Sequence, residues 1–159
     1  MKKWTRHLPL DRRRYRLRRW LSAPGSLTAH IRHAGHDFRV RRLLQKRMDA
    51  LAEEAATLGQ RRGALVREVL LMEGEVPLVF AHSVVLGRHT AGAWRAIRGL
   101  GSRPLAELLY VDSAITRRPM RYRMVTAGDP LGQRIRQALP ATRFPLWARR
   151  SVFLPHGKP

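Results

Sequence analysis

The 159-residue chain contains no cysteine. That excludes disulfides and thiolate metal sites, and it makes cytoplasmic residence the default expectation. Acidic residues are scarce, with 11 Asp and Glu against 32 Lys and Arg, for a formal charge of +21. Lysine itself is confined to Lys2, Lys3, Lys46 and Lys158. A surplus carried by arginine reflects coding bias as readily as a partner, so charge alone does not assign nucleic acid. No apolar run approaches the ~20 residues of a membrane span, and no signal-peptide core follows the basic start. Repeats and low-complexity segments are absent as well.

What is present is an ordinary globular composition, 44% hydrophobic and 27% charged, at a length suited to one domain with its own core. "LDRRRYRLRRWL" places apolar residues at 10, 17, 20 and 21 behind Asp11 as N-cap. That spacing predicts a short helix with an arginine face over a Leu17/Trp20 seam. "SAPGS" ends it, and "SLTAHIRHAG" reads as a second short helix or turn. In "DFRVRRLLQKRM", Phe38, Val40, Leu43 and Leu44 predict a half-buried strand. Residues 47–62 are locally helical and acidic, and are expected to form a loose excursion between strands.

The centre carries the strongest pattern. "ALVREVLLM" and "VPLVFAHSVVL" are β-branched apolar runs joined by "EGE", a hairpin. "TAGAWRAIRGLG" predicts a helix closed by Gly99 or Gly101, and "RPLAELLY" a short helix with Pro104 in its first turn. "SAITRRPMRYRMV" returns to strand, "DPLGQRIRQALPA" reads as a loop with helical content, and "FPLWARRSVFL" as the last strand before a turn. Antiparallel strands with helices inserted between them predict an α+β fold.

Three clusters bear on chemistry. Arg67 lies inside an apolar strand, where an unpaired guanidinium is costly. A bound anion or an ion pair with Glu73 or Glu75 would each satisfy it. His30, His33 and His36 recur every three residues, but only Asp37 is at hand to complete a metal site, so exposed histidines and no metal are expected. "RRRYRLRR", with Tyr15 and Trp20, suits phosphates or weak contact with an anionic membrane surface. A solvated arginine face over the Leu17/Trp20 seam is the favoured explanation, and no specific nucleic-acid partner is expected.

In order along the chain, "WLSAPGSLT", "VREVLLMEGEVPLVFAHSVV", "LGSRPLAELLY", "SAITRR" and "LWARRSVFLPHGKP" resemble the chorismate pyruvate-lyase family, the 4-hydroxybenzoate synthases. The resemblance covers nearly the whole chain. It implies a single antiparallel β-sheet with helical flaps over a buried ligand, one domain over residues 1–159, and a monomer. It also implies removal of pyruvate from chorismate to leave 4-hydroxybenzoate, in ubiquinone biosynthesis, without metal or organic cofactor. By the same resemblance Arg67 anchors a carboxylate, Leu105 touches the ligand partly through its backbone, and Leu27 replaces a flap methionine.

The family's acid–base glutamate lies on a strand after the "GKP" turn, and the sequence stops before that strand. Glu68, Glu73, Glu75 and Glu107 do not match its position, so no catalytic residue is assigned. The resulting expectation is a truncated chain that is a poor lyase or none. The alternative expectation is a non-catalytic sensor of small aromatic acids with the same fold, although the chain has no room for a preceding winged-helix domain.

Overall fold

The computed structural model describes residues 3–8, 15–35, 37–86, 99, 101, 105 and 115–155. Asp11, His36, Glu107 and most of the two helices expected between residues 89 and 110 lie outside the described residues. The chain divides into two compact units, residues 28–112 and residues 1–27 with 113–159.

The first of these is built on the central hairpin. Strands β1 (Phe38–Met48), β2 (Ala64–Glu73) and β3 (Val76–Val85) form an antiparallel sheet in the order β1-β2-β3. Every residue of β2 from Ala64 to Met72 is buried, which is why it reads as a continuous apolar run rather than an alternation. The β2–β3 turn is tight: Glu73 pairs with Val76, and Gly74 takes a φ of +56°, a region glycine enters without steric cost. β1 exposes Arg39, Arg41, Arg42, Lys46 and Arg47, charges that discourage a further strand from adding there.

Helix α2 (Leu27–Ala34) precedes this sheet and buries Ile31. Helix α3 (Ala52–Leu58) sits between β1 and β2 and is firmly closed at both ends. The Leu51 N–H donates to Glu54 Oε2 at 2.9 Å, and Gly59 ends the helix in the left-handed region. At its base the Ala50 N–H donates to the Arg61 carbonyl at 2.8 Å. The segment is therefore a fixed helix, not the loose excursion expected. Propensity alone could not reveal the tertiary anchor described below.

In the other unit, β4 (Ile115–Arg117) pairs with β7 (Phe153–Pro155), and β5 (Arg121–Val125) pairs with β6 (Leu146–Arg150), both antiparallel. The stretch expected as one last strand is thus two, interrupted at Ser151–Val152, each with its own partner. "DPLGQRIRQALPA" forms a true helix, α4 (Pro130–Ala138), with Pro130 in the first turn where its missing N–H costs nothing. Helix α1 (Tyr15–Ser22) buries Leu21 and half-buries Trp20, whereas Leu17 is 39% exposed. Its seam is therefore Trp20/Leu21, with Leu21 in the place expected for Leu17 and Trp20 retained. Leu21 and Tyr122 form a small core with Leu8, Met120 and Trp147 packed against it.

All described ladders are antiparallel, with helices inserted between strands, so the fold class is α+β. Among the described residues they make up one three-stranded sheet and two strand pairs.

Candidate functional site

Arg67 lies midway along β2, opposite Gln45 on β1 and Ser83 on β3. It is only 3% exposed. Its Nη1 donates to Gln45 Oε1 at 2.6 Å and to the Gly101 carbonyl at 3.0 Å. Burial, and then the nearby charge of Arg42, push the guanidinium below its ordinary value. Arginine starts so high that it is still a cation at neutral pH.

Neither glutamate weighed as a structural partner fills that role. Glu73 lies six residues along the same strand, about 20 Å away at strand spacing. Glu75 pairs with Arg39 at 2.8 Å. The Gly101 contact instead brings the start of "GSRPL" to Arg67, and Leu105, half-buried, follows four residues later. Leu27 is the half-buried first residue of α2 and falls in the other unit.

Glu68 follows Arg67 and so points to the opposite face of β2. There its Oε1 meets His82 Nδ1 at 2.9 Å, while Nε2 of the same ring lies 3.0 Å from Glu54 Oε1. The second approach is an ion-pair contact. Burial on its own would lower the imidazole, but the two carboxylates outweigh it and raise His82 to about 9. The ring is an imidazolium at neutral pH, clamping α3 to the sheet. Glu68 is committed to that clamp and faces away from Arg67. Strand pairing carries a signal for this cluster, since Glu68 and His82 are direct cross-strand neighbours. The contribution of Glu54 required the packing of α3.

His30 and His33 lie exposed on α2. Among the described residues no three His, Asp or Glu side chains are arranged to hold a metal ion.

In the other unit, two arginines explain why separate stretches of sequence belong together. Arg149, from "LWARRS", directs Nη1 at the carbonyls of Trp20, Leu21 and Ala23, at 3.2, 3.4 and 3.0 Å. These are acceptors at the end of α1 that the helix cannot satisfy itself. Arg117, from "SAITRR", donates to the Gly25 carbonyl at 3.1 Å. Both therefore fix the "WLSAPGS" segment that leads into Leu27, a structural role not evident from the sequence. A third arginine, Arg123, is wholly buried against Asp129 at 3.2 Å. Asp129 also accepts from the Thr126 N–H and hydroxyl, at 2.6 and 2.9 Å. Burial would raise the Asp129 carboxyl, but the Thr126 donors and the Arg123 charge hold it below its usual value. Arg123 and Arg150 both stack on the Trp4 ring, at 4.9 and 4.7 Å from its centre.

Compared with known proteins, the chain matches the chorismate lyase family model over residues 2–159. It belongs to the chorismate lyase family. A probable chorismate pyruvate-lyase of Cupriavidus pinatubonensis is 44% identical over 155 residues, covering 94% of this chain and 80% of the relative. One from Aromatoleum aromaticum is 43% identical over 159 residues, covering 98% of this chain and 86% of the relative. A third, from Nitrosospira multiformis, is 42% identical over 146 residues, covering 90% and 81%. Among the described residues no helix is long and apolar enough to cross a membrane.

Proposed function

We propose that the protein is a chorismate pyruvate-lyase, converting chorismate to 4-hydroxybenzoate and pyruvate, with Arg67 as the carboxylate anchor. The observation that carries this reading is a guanidinium buried mid-strand in a chorismate lyase family member. Its Nη1 is oriented by the Gln45 amide oxygen and the Gly101 carbonyl. A planar fork so placed matches a carboxylate in shape and charge.

The reaction breaks the ether bond between the ring and the enolpyruvyl group and removes the proton from the neighbouring hydroxyl-bearing carbon. The ring becomes aromatic, and the enolpyruvate takes up a proton to become pyruvate. Aromatisation supplies the driving force, so the protein's work is to hold the diacid and exclude water. Leu105 and, on the family resemblance alone, Leu27 are assigned to the ring. The acid–base group is not assigned, since Glu68 is held by His82 on the opposite face. The reading extends to a cytoplasmic monomer whose product feeds ubiquinone biosynthesis. Tyr15, 68% exposed beside exposed Arg16, Arg18 and Arg19, supports at most weak contact with an anionic membrane surface.

Pyruvate release from chorismate by the purified chain tests the reading. Arg67→Met is expected to lower kcat/KM by roughly 100-fold, about 2.7 kcal/mol of transition-state stabilisation. Its Tm should stay close to the parent, because an apolar side chain of similar volume replaces a buried charge at little cost. A chain that binds 4-hydroxybenzoate but releases no pyruvate would overturn the enzyme reading.

A further inference from the structure

We infer that Arg42 is a second, specificity-determining cation of the ligand site, placed to meet the other carboxylate of a diacid whose first is held by Arg67. The inference rests on Arg67 being the carboxylate anchor.

Chorismate carries one carboxylate on its ring and one on its enolpyruvyl arm. Register sorts the exposed basic residues of β1 between the two faces of the sheet. Arg39, Arg41 and Lys46 oppose Met72, Leu70 and Val66, so they leave the face that carries Glu68. Arg42 and Arg47 oppose Val69 and Leu65, which share the face of Arg67. Arg47 lies toward the end of the strand and donates to the Gly63 carbonyl at 3.2 Å. Arg42 is exposed, and among the described residues it has no carboxylate partner.

A β-bulge decides this placement. The register shifts between Arg42 and Leu44, so Arg42 opposes Val69 rather than Leu70. Without that extra residue every β1 side chain before it would change face, and Arg42 would point away from Arg67. With it, Arg42 and Arg67 are diagonal neighbours, positions about 7–8 Å apart and within reach of long side chains. The proximity is felt: after burial, the Arg42 charge is the next influence lowering the Arg67 guanidinium. Two cations on one face repel in the free protein, and a diacid reaching both relieves that repulsion.

Two inert ligands test the role. 4-Hydroxybenzoate has one carboxylate, whereas 3-(carboxymethoxy)benzoate has one on the ring and one on an ether arm. At low ionic strength Arg42→Gln should weaken the diacid roughly three- to tenfold and leave 4-hydroxybenzoate within about twofold of the parent. The loss should shrink at high salt, because the contact is exposed, and Arg42→Lys should recover part of it. The Tm of Arg42→Gln is expected at or above that of the parent, since a like charge near Arg67 is gone. Unchanged diacid affinity in Arg42→Gln, or equal losses for the two ligands, would overturn the inference. So would a parent that binds 4-hydroxybenzoate but not the diacid. Arg67→Met should weaken both ligands. If it weakens neither, or the parent binds neither, the anchor reading fails and the inference about Arg42 falls with it.

Discussion

Two buried arginines, one in each unit, are held by different acceptors. Arg123 is locked by a carboxylate: Asp129 at 3.2 Å takes up its charge, and the Trp4 ring covers it. Arg67 donates to an amide oxygen and a peptide carbonyl from two other segments, which fix its direction. In sequence only Arg67 is conspicuous, inside an apolar run, whereas Arg123 in "RYRMV" has another arginine two residues before it. The difference teaches that burial alone does not give an arginine its role, and that the acceptors around it must be read one by one. Arg149 and Arg117 illustrate a third use, with carbonyl acceptors at the end of a helix and in the turn beyond it.

The comparison is broken most severely at Asp129. Asp129→Ala leaves a buried guanidinium without its counter-charge and is expected to destabilise by about 3–5 kcal/mol in urea unfolding. In the fraction that stays folded, Kd for 4-hydroxybenzoate should remain within twofold of the parent, the reverse of the pattern for Arg67→Met. A large affinity loss in folded Asp129→Ala would erase the distinction between the two arginines.

Next in size is the clamp behind β2. His82 is raised to about 9 in the folded protein, above its unfolded value near 6.5. Its stabilisation is fully present below about pH 6.5 and is lost as pH rises through 9. Unfolding free energy should therefore fall by on the order of 2–3 kcal/mol between pH 6.5 and 10. His82→Gln should flatten that slope, and an unchanged slope in the variant would remove the clamp from the account.

The smallest expected effects contrast two glycines. A Cβ on Gly132 would overlap the Thr126 carbonyl, which is backbone and cannot move aside cheaply. Gly132→Ala should cost about 1–3 kcal/mol. At Gly35 the overlap is with the Glu73 carboxylate, the far end of a flexible side chain, so Gly35→Ala should cost less. Thermal unfolding of the two variants side by side measures the difference, and equal losses would contradict it.

Much of the fold was legible because local rules and burial agreed. The β2–β3 hairpin combined an unbroken apolar run with a glycine turn, and α2 and β1 followed their hydrophobic spacing. Reading failed where a partner distant in sequence decided the outcome. Leu17 carries the right spacing for the α1 seam, but the core of its unit forms around Leu21 and Tyr122. The last strand became two because β6 and β7 each found a different neighbour. Residues 47–62 looked loose because Glu54 meets its counter-charge on β3.

The sequence by itself determined the α+β class, the central hairpin and membership of the chorismate lyase family, since periodicity, turn chemistry and ordered motifs are all local or colinear properties. It also singled out Arg67, because a charge inside an apolar run is conspicuous. Only the tertiary structure decided what each charge is for. Whether an arginine is neutralised, aimed or used to cap a helix depends on which oxygen lies about 3 Å from it, and those oxygens come from other strands and loops. Gln45, an inconspicuous residue in a basic strand, is brought against Arg67 by register alone.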